Sequence, residues 1–257
     1  MRIACLYDIH GNLPALEASL QQVRGMKVDL IVFGGDILPG PFPLETVALV
    51  QDLDTPVRCI RGNGEREAFA LSNGDVDVEV PQDFHAGMKW CVDQLSSEQR
   101  RFVESWPLCV SLEAAPGMEI LFCHATPFSD SELFTAESDE SRVHQIFAGC
   151  EVPTVVCGHT HMQFDRTVGQ WRIINSGSVG MAFGSHEAQW LLIDSGDIRL
   201  QSTPYDRRDA AAQILQSSYP DAEFFVDRFV NAVPNQAGMV QLFEQSIQVA
   251  QQQSAND

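Results

Sequence analysis

Apolar residues in this chain come in short runs, interrupted only by Arg58 in the third, rather than in strict alternation. They fall at Ile3–Tyr7, Leu30–Phe33, Val57–Ile60, Ile120–Cys123 and Val155–Cys157. Runs of this length, rich in β-branched side chains, predict strands buried on both faces. Between the first three runs the period changes. Leu16, Leu20 and Val23 recur at helical spacing in a helix beginning near Leu13. Pro43 opens a second helix through Leu53, because proline suits the first helical turn. Strand and helix thus alternate over the first 62 residues, which predicts a parallel sheet with right-handed crossovers.

Residues 64–106 read as helices and connections with little strand character, lying over or beside the strand ends. Ser96 and Gln99 make a capping box ahead of Phe102 and Trp106. From Leu108 the chain turns strand-rich. Leu108–Leu112 and Glu119–Cys123 are joined by a segment containing Ala-Ala-Pro-Gly, a hairpin signal. A helix near Arg142–Phe147 precedes strands at Thr154–Cys157, Phe164–Val168, Trp171–Asn175, Gln189–Asp194 and Ile198–Thr203. From Tyr205 the tail is helical, with Leu215, Phe224, Phe225, Phe229, Val233, Leu242 and Phe243 available for packing, and its Gln-rich end, Gln248–Asp257, reads as a fraying terminus. The expectation is one domain over residues 1–257, with a helical insert at about 64–106 and a helical appendage at about 205–257.

Composition narrows the class. No apolar run approaches the length of a spanning helix, and the first seven residues are too short an apolar stretch for a signal peptide, so no membrane association is expected. Seven cysteines without Cys-x-x-Cys spacing suggest reduced thiols and a cytoplasmic protein. Cys5, Cys59, Cys123 and Cys157 fall inside expected strands, as small hydrophobes. A net charge of −19 gives no basic stripe for double-stranded nucleic acid. It does not exclude a small phosphorylated substrate, because bound metal ions dominate a local field.

The chemistry sits at the ends of the apolar runs. Asp8-Ile9-His10, Gly35-Asp36, Gly62-Asn63, His124 and Gly158-His159-Thr160-His161 each follow one of them. Side chains at the carboxyl ends of successive strands converge on one edge of a sheet. An Asp-x-His or Gly-Asp pair alone is a common turn. Two histidines at i and i+2 after a buried strand are hard to explain as packing. Carboxylate, imidazole and amide together suit a borderline divalent metal.

The series Asp-x-His, Gly-Asp, Gly-Asn, His, Gly-His-x-His resembles the signature of the calcineurin-like metallophosphoesterases, and runs through residues 8–161. Asn175-Ser176-Gly177-Ser178-Val179-Gly180 resembles the same family's Asn-Pro-Gly-Ser loop, with Ser176 in place of proline, and the stretch from Leu95 to Pro107 resembles a bacterial subgroup of small phosphodiesterase-like members. The resemblance implies a four-layer α/β/β/α sandwich of two mixed sheets flanked by helices. It also implies two divalent ions (Mn, Fe, Zn, Ni or Co). Asp8, His10, Asp36 and His161 would hold one, and Asp36, Asn63, His124 and His159 the other, with Asp36 bridging and Asp36, Asn63 and His124 nearest the reaction. A hydroxide between the ions would attack phosphorus in line. The implied activity is hydrolysis of a small phosphate ester, a diester ahead of a monoester, with a nucleotide, phosphoprotein or dinucleoside polyphosphate phosphatase as the alternative. Relatives such as a subunit of the retromer coat serve as scaffolds. A scaffold has no need for all seven implied ligands.

One departure stands out. The family's third block reads Gly-Asn-His followed by an acid, whereas this chain has Gly62-Asn63-Gly64-Glu65. The missing histidine helps protonate the leaving group, and general acid catalysis is typically worth ~10²–10⁴ in rate. Gly64 therefore points to substrates with good leaving groups, or to a bulkier group beside the metals. Glu65, with no histidine to orient, is expected to pair with Arg61 or Arg66, which could otherwise contact phosphate. His85, His144 and His186 read as structural or exposed, and Trp90, Trp106, Trp171 and Trp190 as core. Ser178 would touch substrate or simply turn the chain. The loop Ile37–Pro43, stiffened by Pro39, Pro41 and Pro43, would either wall the site or deliver the chain to the next helix.

Overall fold

Each apolar run contains a strand in the computed structural model, which describes residues 1–75 and 77–254. In chain order the elements are β1 (Arg2–Leu6), α1 (Leu13–Met26), β2 (Leu30–Phe33), α2 (Pro43–Gln51), β3 (Val57–Cys59) and α3 (Asn63–Ser72). Then come α4 (His85–Gln94), α5 (Ser97–Glu104), β4 (Cys109–Ala115), β5 (Met118–Cys123), α6 (Glu140–Ile146), β6 (Thr154–Cys157), β7 (Phe164–Val168) and β8 (Trp171–Asn175). The chain closes with β9 (Ala188–Asp194), β10 (Asp197–Thr203), α7 (Arg207–Gln216), α8 (Ala222–Phe225), a π-helical stretch Val226–Asn231 and α9 (Gln236–Ser254). The end of the tail expected to fray, residues 255–257, lies outside the described residues.

The strands form two five-stranded mixed sheets, ordered β10-β9-β1-β2-β3 and β4-β5-β6-β8-β7. In the first, β1, β2 and β3 are parallel and β9 runs antiparallel to β1. In the second, β5, β6 and β8 are parallel, with β4 and β7 antiparallel at the edges.

The unbroken runs have a direct cause. Ile3 and Cys5 of β1 pack with Phe122 and Val156 of the other sheet, between the sheets. Their neighbours Ala4 and Leu6 face Leu16 and Leu20 of α1 and Val47 of α2. On the far side, Leu121 and Cys123 of β5 pack with Val143 and Phe147, at α6. Both faces of each central strand are covered, which is the four-layer α/β/β/α sandwich. The differences from expectation lie at edges. β3 is an edge strand, ends at Cys59 and is only half-buried. β4 runs on to Ala115 through a bulge, so the hairpin turn is Pro116-Gly117 alone. The Ser96–Gln99 capping box forms in both directions, at 3.0 and 3.2 Å.

All seven cysteines are free thiols. No described helix is long and apolar enough to cross a membrane. In the tail, Ala210, Ile214, Phe225 and Val230 form a small core of their own. Leu215, Phe224 and Leu242 stay about half exposed.

Candidate metal centre

The edge where the two sheets present their carboxyl ends collects all seven residues singled out in the sequence. Asp8, Asp36 and Asn63 follow β1, β2 and β3, whereas His124, His159 and His161 follow β5 and β6, so the site straddles the two sheets. His10 completes it from the turn between β1 and α1. Five of these residues have left-handed backbones: Asp8, His10, Asp36, His159 and His161, with φ between 48° and 68°. Asp and His tolerate that region better than most residues. Even so, non-glycine residues held there typically cost of the order of 1–3 kcal/mol each, and such strain collects at functional sites.

The side chains crowd together. Asp8 Oδ1 lies 3.4 Å from His161 Nε2 and 3.8 Å from His124 Nε2. Asp36 Oδ1 lies 3.5 Å from His124 Nε2, and Asp36 Oδ2 lies 3.6 Å from His10 Nε2. His10 Nε2 and His161 Nε2 are 3.2 Å apart. Two groupings could each hold a cation, Asp8 with His10 and His161, and Asp8 with Asp36 and His124. Both carboxylates therefore sit between the histidines, so Asp8 is as central as Asp36. His159 lies beside His124, ring centroids 5.2 Å apart.

The surroundings fix which nitrogen of each ring faces inward. A carbonyl only accepts, so His124 Nδ1 donates to Gly34 O at 2.9 Å and His161 Nδ1 to Met181 O at 3.0 Å. Each leaves Nε2 toward the carboxylates. His159 is turned the other way, with Nε2 donating to Ser131 O at 3.2 Å. Metal-binding histidines are oriented by such outer contacts. Among these seven residues, three buried atoms have no hydrogen-bond partner among the described residues: Asp8 Oδ1, Asn63 Oδ1 and His124 Nε2. Buried polar atoms are nearly always paired. A carboxylate, an amide oxygen and an imidazole nitrogen left unpaired in one place form a donor set for a divalent cation.

The electrostatics differ from ring to ring. Burial lowers His10 to about 4, against the pull of Asp36, and burial likewise lowers His159 to about 4. Both rings are thus neutral. Burial alone would lower His124, but the facing carboxylates Asp36 and Asp8 outweigh it and raise the ring to about 10. Burial would raise Asp36, and the facing His124 turns the net shift downward.

Neighbouring residues take roles that differ from expectation. Glu65 pairs with neither Arg61 nor Arg66. Its carboxylate is buried and accepts three backbone amides, from Asp36 at 2.9 Å, Leu38 at 2.9 Å and Gly62 at 2.8 Å. Local spacing suggested a charged partner; the fold instead brings the Asp36 loop within reach. Burial, then the Asp36 charge, push its pKa to about 7 against those amides. Arg66 instead donates from Nε to both oxygens of Asp130 at 3.0 Å, and Arg61 lies 3.6 Å from the same carboxylate. Ser178 donates to Asp8 O at 2.7 Å and accepts from Met181 at 2.8 Å, so it turns the chain. His85 contacts Val80 O, His144 packs on Trp171, and His186 meets Arg207. Trp106, Trp171 and Trp190 are buried, while Trp90 is half-buried beside Tyr219.

Asn175 has a role that the sequence did not disclose. It donates to Gly158 O at 2.6 Å and Thr160 Oγ1 at 3.1 Å and accepts from Gly177, so it braces the turn carrying His159 and His161. A cavity of about 270 Å³ opens from His10, Asp36, Asn63 and Gly64 toward α4 and the tail.

A family description, the calcineurin-like phosphoesterase superfamily domain, matches residues 1–197. An uncharacterized protein of Methanocaldococcus jannaschii is 31% identical over 126 residues, which is 49% of this chain and 49% of the archaeal protein. The match thus spans about half the length of that curated relative. Among solved structures, a hypothetical protein from Pyrococcus horikoshii superposes with a TM-score of 0.76 at 20% identity, over 88% of this chain and 96% of that one. A metallophosphoesterase from Sphaerobacter thermophilus gives 0.69 at 25% identity, over 89% and 98% of the two chains.

Proposed function

Because the chain belongs to the calcineurin-like phosphoesterase superfamily, we propose that it is a hydrolase that cleaves a small phosphate ester, a diester ahead of a monoester, with two divalent ions. Asp8, His10, Asp36 and His161 would hold one ion. Asp36, Asn63, His124 and His159 would hold the other, and the position of Asp8 between His161 and His124 lets it serve both. The observation that carries this reading is that Asp8 Oδ1 and His124 Nε2, 3.8 Å apart, are both buried and unpaired, as is Oδ1 of Asn63, which lines the same cavity as Asp36.

Bound divalent ions would supply Lewis acidity toward the phosphoryl oxygens and lower the pKa of a water toward about 7. The chain's own work is placement. The amide of His159 holds Asp8 Oδ2 at 3.0 Å, and the amide of Gly64 holds Asp36 Oδ1 at 2.7 Å, so neither carboxylate can swing away. Glu65 fixes the backbone on either side of Asp36. Preorganised groups of this kind need not reorganise during reaction.

At Gly64 the chain offers no acid for the leaving group, which supports the preference for diesters with good leaving groups. The test is hydrolysis of bis-p-nitrophenyl phosphate beside p-nitrophenyl phosphate, with Mn²⁺ added to chelator-stripped protein. Diester turnover that needs Mn²⁺ and is lost in Asp36→Asn is expected. Faster monoester turnover would replace the diesterase with a phosphatase. No turnover of either, with metal bound, would leave a metal-binding scaffold.

A further inference from the structure

The cavity beside the metal residues has a second half of different character. Its far wall carries Phe84, Tyr219, Phe224, Phe225 and Phe229, with Asp221 among them. Phe84 comes from the turn before α4, and the others come from the tail. The contacting rings are tilted or edge-on, at 56° for Phe84 and Phe224, 77° for Phe224 and Phe229, 63° for Phe225 and Phe229, and 82° for Tyr219 and Phe225. Together they give this half of the cavity a continuous aromatic wall.

The charges in this half are all negative. Among the described residues lining the cavity there is no lysine or arginine, and Glu67 and Asp221 are the carboxylates beyond Asp36. Glu67 is already engaged, accepting the Val80 amide at 2.9 Å. Asp221 lines the cavity and makes no ion pair among the described residues, and its Oδ2, turned against α4, has no hydrogen-bond partner among them. The sequence makes room for that oxygen. A Cβ at Gly87 would lie 2.1 Å from it, so α4 carries a glycine where the carboxylate lies against the helix. Burial raises the pKa of Asp221, which marks a carboxylate without a compensating cation. A second phosphate would find only repulsion here, which argues against dinucleoside polyphosphates.

We propose that this half of the cavity binds an organic ammonium group, so that the substrate is a phosphate ester of a compact amino alcohol. Aromatic rings around a carboxylate are the recognised chemistry for such cations, which are drawn to ring faces within about 6 Å. The substrate would lie with its phosphate at Asp8, Asp36 and the histidines and its ammonium between the aromatic residues and Asp221. In a diester, hydrolysis then forms one P–O bond from water and breaks the P–O bond to the other, better leaving group; that group departs with its electron pair and takes a proton from solvent, the attacking water gives its protons to solvent, and the amino-alcohol phosphate remains. The identity of the hydrolysed group rests on the phosphoesterase reading above, whereas the cation site can be tested without turnover.

Two arms keep those failures apart. The first titrates choline, and its neutral isostere 3,3-dimethylbutanol, into the full chain and follows heat. Choline is expected to bind about tenfold or more tighter than the alcohol, with the difference lost in Asp221→Asn and reduced several-fold in Phe229→Leu. Glu223→Gln, an exposed neighbour, is expected to keep it. The second compares kcat/KM for p-nitrophenyl phosphorylcholine and p-nitrophenyl 3,3-dimethylbutyl phosphate on the Mn²⁺-loaded protein, where the same tenfold ratio is expected to fall toward one in Asp221→Asn. Equal binding of choline and the alcohol, or a preference indifferent to both Asp221 and Phe229, would overturn the proposal. So would tighter binding of adenosine 2′,3′-cyclic phosphate than of phosphocholine. Choline binding without hydrolysis of either ester would keep the cation site and sink the phosphoesterase reading.

Discussion

Glu65 holds Asp36 by its backbone. One carboxylate oxygen accepts the amides of Asp36 and Gly62, and the other accepts that of Leu38. A single buried side chain thereby ties the start of α3 to the loop after β2, so the two segments carrying Asp36 and Asn63 move as one. In Glu65→Gln one oxygen becomes an NH₂ group that faces an amide donor. Leaving a buried donor unpaired costs ~1–3 kcal/mol. For a chain of this size each kcal/mol lowers the melting temperature by roughly 2–4 °C. Outer contacts of this kind are also worth about 10–100-fold in metal affinity. Thermal unfolding and a calorimetric Mn²⁺ titration of Glu65→Gln read both effects, and wild-type values in the two together would remove Glu65 from the site.

Gly64 cannot simply regain a side chain. A Cβ there would lie 2.5 Å from Leu38 O and 2.8 Å from Asp36 Oδ1. The loop after β2 fills the space in which a histidine would stand. Gly64→Ala is expected to cost ~1–3 kcal/mol through overpacking and to slow diester and monoester hydrolysis together. Gly64→His is expected to do no better. A variant that gained on poor leaving groups at wild-type stability would show that the loop yields freely, and the leaving-group argument would then hold on chemistry alone.

The strands and the seven metal-site candidates were legible because each leaves a local mark. β1 and β2 are continuous apolar runs since both their faces are covered, and the turns after them carry Asp8 and Asp36 within three residues of the strand end. Glu65 was misread for the opposite reason. Arg61 and Arg66 are near in sequence, but the amide of Leu38, 27 residues away, is what its carboxylate reaches. The cavity was equally hidden, since Gly87 and Asp221 meet across 134 positions and neither marks the other in the sequence. Pairing between distant segments has no periodicity to read.

Asn175 braces the turn that presents two of the histidines, through three hydrogen bonds made by one amide. Asn175→Asp keeps the acceptor for Gly177 but loses both donors, and places a carboxylate against Gly158 O. Asn175→Ala loses all three. Metal affinity is expected to fall about 10–100-fold in either variant, with the aspartate at least as damaging as the alanine. Mn²⁺ titration of folded protein checks this, and an unchanged affinity in Asn175→Ala would mean that the Gly158–His161 turn holds its shape unaided.

Metal removal tests the centre most directly, because the groups that a cation would join are otherwise left buried and unpaired. A ligand that binds only the folded chain stabilises it by ~2.7 kcal/mol at about 100 times its dissociation constant. For this length that is a rise of roughly 5–10 °C in melting temperature. Chelator-stripped protein is therefore expected to melt lower than the same protein with Mn²⁺, and Zn²⁺, Co²⁺ or Ni²⁺ should also raise it. Asp8→Asn should abolish most of the rise, since Asp8 Oδ1 lies against both His161 and His124. The same variant also relieves a buried charge in the metal-free protein, so its stripped form is expected to melt no lower than the stripped wild type. That crossing, with wild type ahead only when metal is present, separates a metal-binding carboxylate from one that merely holds the turn. If Asp8→Asn lowered both curves equally, Asp8 would be a structural residue and the donor set would have to be redrawn around Asp36.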